Sequence, residues 1–482
     1  MSETNLHRKN KVNLEDYNYK QDIKNRLMML QFSSTDISVL EEIIYGSTKL
    51  SILKLQSQLE MSLEEVQESL QKLMKTELFS IEGDTLLINK EARKYFENQI
   101  IKFEEDFNPG MDFLQKLLKK VPIHVLPNWY PIPRTSNNIF DSLIEKYMQT
   151  PQTFQRYLSE LQFGNEVLNG IVKDLFNSPT YKIYSKEIKT KYQLSDAEFE
   201  EHILLLEFNF VCCLVYEKKE GQWHEAITLF KEWKDYLSFK TKSQPKTVSK
   251  QDLVNRSRPN DFSFVEDMSS LLVLANTISI TLTLNSKEQW VPEESKIAQQ
   301  IANKCMGFDL KTEEGQSFFI NYISNVIYKL TYLKLARIEN RQLIPEAEAG
   351  DWLTLPSEKK AIHIYKMTLS RYEFSEFPEE ICTERNIREI EKSLSRILDS
   401  DWVIFDDFMH GIIAPISDKS KMMLKKTGRY WQYTLPDYSE AESSLIHKII
   451  YEWLFESGMI ATGLYQGKEC MRITPLGQSL FG

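Results

Sequence analysis

Three times along the chain the pattern Ser-x-x-Glu opens an apolar run of helical spacing: Ser62-Leu63-Glu64-Glu65, Ser195-Asp196-Ala197-Glu198 and Ser439-Glu440-Ala441-Glu442. In such a capping box the Ser hydroxyl takes a free N–H of the first turn, and the Glu side chain reaches back to the Ser N–H. The neighbours of the first two boxes recur as well. Ahead of Ser62, the stretch from Asp36 to Tyr45 has helical spacing, with Gly46 as a stop, and Ser51 to Leu59 predicts a second, shorter helix. The capped third helix carries Leu63, Val66, Leu70, Leu73 and Met74 on one face. Leu78 to Ile81 and Thr85 to Ile88, around Glu82-Gly83-Asp84, then read as a β-hairpin.

The second copy repeats this order. Val167, Leu168, Ile171, Val172 and Leu175 predict one helix and Ser185 to Tyr192 another. The capped helix carries Phe199, Ile203, Leu204 and Leu206, and a hairpin follows over Phe210 to Tyr216 and Trp223 to Leu229. Helix, helix, capped helix and hairpin is the order of a winged helix, an elaborated helix-turn-helix. Fainter copies follow. Phe318 to Leu330 precedes Ala336–Ile338 and Gln342–Ile344. Ile387 to Leu398 precedes Trp402–Phe405, which is expected to pair with Gly411 to Ile416. The third box precedes Met459–Ala461 and Cys470–Ile473. Thr474-Pro475 reads as an N-cap with Pro at the first helical position. The fold class expected is mainly α with small β-hairpins, an α+β chain of tandem winged-helix units.

The expected organisation is an N-terminal tail over 1–30, a first winged helix over 31–110 and an irregular and helical connector over 111–160. A second winged helix follows over 161–239. Residues 240–260 carry Lys240, Lys242, Lys246, Lys250, Arg256 and Arg258 against Asp252 alone, and are expected to be an exposed, mobile basic linker. The proline-rich stretch 121–135 is expected to be ordered, because Trp129 and Tyr130 are costly to leave in water. A further winged-helix-like unit lies in 261–370, and C-terminal winged-helix-like units lie in 371–482.

Two stretches resemble the bacterial helicase-associated family related to the N-terminal domain of XPB-type helicases. One is Gly350-Asp351-Trp352-Leu353-Thr354-Leu355-Pro356, continuing to His363-Ile364-Tyr365. The other is Met471-Arg472-Ile473-Thr474-Pro475-Leu476-Gly477. The residues that carry the resemblance are Trp352, Leu353, Leu355, Thr474, Pro475, Leu476 and Gly477. It spans most of 260–482 and implies nucleic-acid association or service to a DNA-processing complex, with a helicase or nuclease among the partners, but no motor in this chain.

Chemistry-bearing motifs are missing. Gly463 to Glu469 echoes a phosphate loop, but its glycines are one residue too close and Glu469 stands where a hydroxyl should hold magnesium. No Gly-x-Ser-x-Gly elbow, H-E-x-x-H helix or paired Cys-x-x-Cys occurs. Of the five cysteines Cys212 and Cys213 are adjacent and Cys305, Cys382 and Cys470 lie far apart, and all read as buried thiols in a reducing compartment. No catalytic, cofactor-binding or metal residues are expected, and no cofactor. The best apolar run, Leu271 to Leu284, is interrupted by polar residues, so no membrane segment is expected, and the chain is placed in the cytoplasm.

Net charge is −10, against the basic surface of an autonomous DNA binder. The first third helix offers Glu64, Glu65, Gln67, Glu68, Gln71, Lys72 and Lys75 to solvent, and the second Asp196, Glu198, Glu200, Glu201 and His202; a groove-reading helix offers Arg, Lys, Asn or Gln, and carboxylates facing phosphates are repelled. Protein contact is therefore the favoured use. The nucleic-acid candidates are Lys182, Lys186, Lys189 and Lys191 before the second capped helix, Lys218 and Lys219 in its wing, and the cation–aromatic cluster Lys421, Lys425, Lys426, Arg429, Tyr430 and Trp431. The reading is a non-catalytic accessory or scaffold protein of DNA transactions, with protein partners and nucleic acid left open as a further ligand. A winged-helix transcription regulator and an enzyme of unrecognised type are the alternatives.

Overall fold

A computed structural model describes residues 8–9, 11–132, 138–250, 253–308, 310–371, 377–428 and 430–482. The chain divides into two compact units. The first comprises Met1–Phe239 and Met422–Thr434, the second Lys240–Lys421 and Leu435–Gly482. The fold is mainly α with small sheets, antiparallel among the described residues except for the parallel pair Arg8–Lys9 with Leu161–Gln162. No helix among the described residues is long and apolar enough to cross a membrane.

One topology occurs four times, helix, strand, helix, helix, hairpin, with an added strand in repeat three, where Leu282–Leu284 pairs with Trp290–Pro292 before helix Ser295–Gln300. Repeat one runs through helix Ser34–Tyr45, strand Lys49–Ser51, helices Ile52–Leu59 and Leu63–Leu73, and strands Phe79–Glu82 and Thr85–Ile88. Repeat two runs through Glu166–Asn177, Lys182–Tyr184, Ser185–Tyr192, Asp196–Phe208, Cys213–Lys219 and Gln222–Thr228. In both, the leading strand pairs with the return strand of the hairpin, giving a three-stranded sheet. Repeat three has helix Ser263–Thr277 and a third helix Glu313–Tyr332. Its leading segment bonds the return strand Gln342–Pro345 through Leu343 N–H to Ile280 O (3.1 Å) and Leu282 N–H to Arg341 O (2.7 Å). Repeat four has helix Glu384–Ser393, strand Val403–Ile404, helices Phe405–Met409 and Glu440–Lys448, and hairpin Ile460–Tyr465 with Lys468–Ile473.

The repetition extends to backbone conformation. All three capping boxes form in full, and an unforeseen fourth, Ser33 with Asp36, starts the first helix of repeat one. After each third helix one residue turns left-handed: Glu77 (φ 57), Phe210 (φ 61), Lys334 (φ 57) and Gly458 (φ 67). In repeats two to four the next N–H bonds back to the fifth residue before it, Val211 to Leu206, Leu335 to Leu330 and Met459 to Leu454, which closes the helix end.

Several expectations change. The C-terminal region holds one repeat, not several units. Val403 and Ile404 pair with Met471 and Cys470 rather than with Gly411–Ile416. The reason is that Phe405–Met409 coils into a helix that buries Phe405 and Phe408, so the chain cannot double back there as a hairpin. Between that helix and Ser439, the chain leaves repeat four to form a hairpin, Leu424–Thr427 with Tyr430–Tyr433, that belongs to the first unit. There Leu424 N–H donates to Gln149 O (2.8 Å) and Tyr433 O–H to Met148 O (2.9 Å).

Within the tail expected over 1–30, Tyr19–Met29 is a helix that buries Asp22, Asn25, Arg26 and Met29, while residues 1–7 and 10 lie outside the described residues. The basic linker over 240–260 is not free chain. Thr247 bridges to Val403 at one edge of the repeat-four sheet, and Asn255–Arg256 pairs with Gly463 and Leu464 at the other. Two bonded edges and a buried Arg258, ion-paired to Asp267, hold it down. Trp129 and Tyr130 are buried, in agreement with an ordered 121–132 stretch.

Candidate interaction surfaces

The repeat frame fixes which side of each third helix meets solvent. In repeat one Val66, Ser69, Leu70 and Leu73 face inward, leaving Glu64, Glu65, Gln67, Glu68, Gln71, Lys72 and Lys75 exposed. Lys72 is already engaged, its Nζ 3.1 Å from the buried Asp36 carboxylate. In repeat two Asp196, Glu198 and Glu201 are exposed, but Glu200 is fully buried, contrary to its expected place on the surface.

Glu200 belongs to an ion cluster inside the first unit. Arg26 is its centre: Nη1 lies 3.0 Å from Glu200, Nη2 bonds Glu207 and Nε lies 3.6 Å from Asp22. Lys102 Nζ reaches Glu207 at 3.3 Å and Lys120 Nζ reaches Asp22 at 3.0 Å. Tyr17 and Tyr95 hydroxyls donate to Asp22 at 3.2 and 2.6 Å, and Leu214 N–H donates to Glu207 at 2.9 Å. Burial alone would push Glu207 upward, but Arg26 and Lys102 outweigh it and hold the carboxyl down at about 2. Burial pulls Lys120 down to about 8. Nearby, burial and the negative charge of Glu200 push the Glu225 carboxyl well above the usual carboxylate range. These opposite charges are matched to one another, so the cluster fixes helix Tyr19–Met29 against the third helix of repeat two. The signal for it was present: Lys102 interrupts Ile100-Ile101-Lys102-Phe103, and Glu207 interrupts Leu204-Leu205-Leu206-Glu207-Phe208. Charges set in apolar runs require partners.

The basic candidates are largely engaged within the chain. Lys182 pairs with Glu217, Lys189 with Asp196 at 2.7 Å, and Lys191 with Asp174 at 2.6 Å. In the wing, Lys219 lies 4.2 Å from the Tyr184 ring centre and Lys218 5.8 Å from that of Trp223. Lys186 is exposed. The C-terminal cluster is split, because Lys421 belongs to the second unit whereas Lys425, Lys426, Tyr430 and Trp431 belong to the first. Arg429 lies outside the described residues. On the hairpin Lys425 and Lys426 are exposed, and Lys426 stands 5.9 Å from the Trp431 ring centre. Trp431 packs edge-on to Phe140 at 6.2 Å, while Tyr430 is 69% exposed with Lys231 5.5 Å from its ring centre.

The family-motif residues occupy packing positions. Trp352 is buried, edge-on to His363, with Leu355 beside the same core and Leu353 exposed. Thr474 accepts the Gly477 N–H (3.1 Å) and donates to Gly458 O (2.7 Å), with Pro475 in the first turn. Leu476 packs against two hydrophobic clusters, and a Cβ on Gly477 would lie 2.2 Å from Met459 O. Asp406, Asp407 and His410 lie on or beside the short helix Phe405–Met409, and among the described residues no three His, Cys, Asp or Glu side chains gather as a metal site. Gln466-Gly467 is the turn of the last hairpin. No family model, no curated protein and no solved structure matches the chain.

Proposed function

We propose that each helix–strand–helix–helix–hairpin repeat is a winged helix, and that the chain is a non-catalytic scaffold whose four winged helices bind protein partners. The observation that carries this is the acidic solvent face of the third helix of repeat one, Glu64, Glu65 and Glu68, where the helix's own Lys72 is engaged by the buried Asp36. Carboxylates at that position repel a phosphate backbone and suit a protein surface. In repeat two the same helix exposes Asp196, Glu198 and Glu201. Several modules on one chain raise avidity by engaging together. The setting in DNA transactions, with a helicase or nuclease as partner, rests on the resemblance at Trp352–Leu355 and Thr474–Gly477 and carries only the weight of analogy.

The test is anisotropy of labelled single- and double-stranded oligonucleotides with the purified chain across a salt series. The scaffold reading expects no duplex binding at physiological salt. Tight duplex binding that falls steeply as salt rises would overturn it in favour of a groove-reading regulator. Single-strand binding lost on Lys425→Glu/Lys426→Glu would add nucleic acid as a further ligand, held by the hairpin.

A further inference from the structure

The outer strand of the fourth hairpin does not end its sheet. Asn255–Arg256 adds to Ile460–Tyr465, antiparallel, with Arg256 opposite Gly463 and Asn255 opposite Leu464, and Ser257 N–H donates to Thr462 O (2.9 Å). In a hairpin with a two-residue turn the residues flanking the turn bond to each other, and the ladder alternates from there. Leu464 and Thr462, one and three residues back from Tyr465, therefore direct their N–H and C=O groups away from the hairpin, toward the added strand.

In repeat one Ile81 and Phe79 stand at these two places, one and three residues back from Glu82. The register agrees, since Ile88, opposite Phe79, donates its N–H to Thr48 O (3.0 Å) rather than across the hairpin. Among the described residues nothing bonds the N–H or C=O of Ile81. Ile81 is 39% exposed, with Ser80 and Glu82 exposed on either side. The corresponding edge in repeat two is different, because the turn Ile101–Phe103 packs against Cys213–Lys219. Beside the open edge lies the turn Met74–Thr76, with Met74 exposed. Glu64, Glu65, Glu68, Glu77, Glu82 and Asp84 are the exposed acids of this third helix and hairpin, against Lys72, held by Asp36, and Lys75. Lys24 lies 4.0 Å from Glu77.

We propose that the edge Phe79–Glu82 is a docking site for an extended, lysine- or arginine-bearing segment of a partner protein, which adds to it antiparallel as Asn255–Arg256 adds to the fourth repeat. This rests on the scaffold reading and names its mode of contact. Main-chain bonds to the exposed Ile81 supply affinity, and the surrounding carboxylates select the charge. The short, charged edge is protected against pairing with a second acidic edge of its own kind.

The experiment uses the full chain and a blocked, fluorescein-labelled peptide that alternates lysine with valine. Ile81→Pro deletes the outward N–H and no hairpin bond, a place where an edge strand tolerates proline. A second probe leaves the protein untouched: the same peptide N-methylated on alternate residues. The expected result is that the peptide binds, that its binding slows hydrogen exchange at the Ile81 amide, and that either change weakens binding about tenfold or more. Equal binding by I81P and by the N-methylated peptide, or no binding of the unmodified peptide, overturns strand addition. If I81P proves unfolded by circular dichroism, the N-methylated peptide decides alone. Salt-steep duplex binding in the oligonucleotide assay would sink the scaffold reading whatever this peptide does, so the two failures are separable.

Discussion

Arg26 has three carboxylates around a side chain that is 1% exposed. Replacing it with Met leaves Asp22, Glu200 and Glu207 facing only Lys102 and Lys120. Breaking a buried ion pair from one side costs about 3–5 kcal/mol, and urea unfolding of Arg26→Met should show a loss of that order. Adding Glu207→Gln should return part of it, because the uncompensated charge is then gone. Glu232 gives a pH signature. Its Oε1 accepts the Met111 N–H (3.0 Å) at the start of helix Met111–Leu118, and Oε2 has no hydrogen-bond partner among the described residues. Burial pushes this carboxyl up to about 7 from the usual 4.5. Between those values the unfolded chain has released the proton that the folded chain keeps, so stability falls as pH rises through the window and is flat above it. Glu232→Gln removes that slope, so the variant should gain on wild type by on the order of 2 kcal/mol between pH 5 and 7.5. Urea midpoints that stay parallel for the two proteins would refute this. Neither residue was legible as a partner in the sequence, since nothing there relates position 26 to 200 and 207.

At the scale of elements, helices and hairpins were legible where one local signal suffices. The capping boxes at Ser62, Ser195 and Ser439 opened helices at the expected residues, and the Gln466-Gly467 turn closed a hairpin. The leading strand Lys49–Ser51 was not, because it is three residues long and exists only through a distant partner, and Val403–Ile404 was legible as a strand but not its partner, Cys470–Met471. The strand Asn255–Arg256 shows the same limit: it reads as polar linker and is a strand only because Gly463 lets it approach. A Cβ there would meet Asn255 O at 2.7 Å. Gly463→Val should therefore cost about 1–3 kcal/mol and free the segment, so that trypsin cuts after Arg256 in the variant but not in wild type. Unchanged digestion would mean the strand is held by its other contacts.

For the whole molecule, the sequence made the tandem order legible but not which residues share a unit. A net charge of −10 predicted a surface hostile to DNA, and three of the nine lysines that looked promising, Lys182, Lys189 and Lys191, are bonded to acids of their own repeat. The placing of residues 422–434 had no signal, because an insertion between the second and third helices of repeat four looks like a loop until its partners, Gln149 and Met148, are known. That hairpin also sets an order of events during synthesis. A ribosome delivers residues 1–239 long before it delivers 422–434, so the first unit emerges with the seat of Leu424 and Tyr433 empty, and it is finished only when nearly the whole chain has left the exit tunnel. The nascent chain must therefore keep that seat uncovered, and a chain released early, anywhere before residue 422, leaves a first unit that cannot be completed.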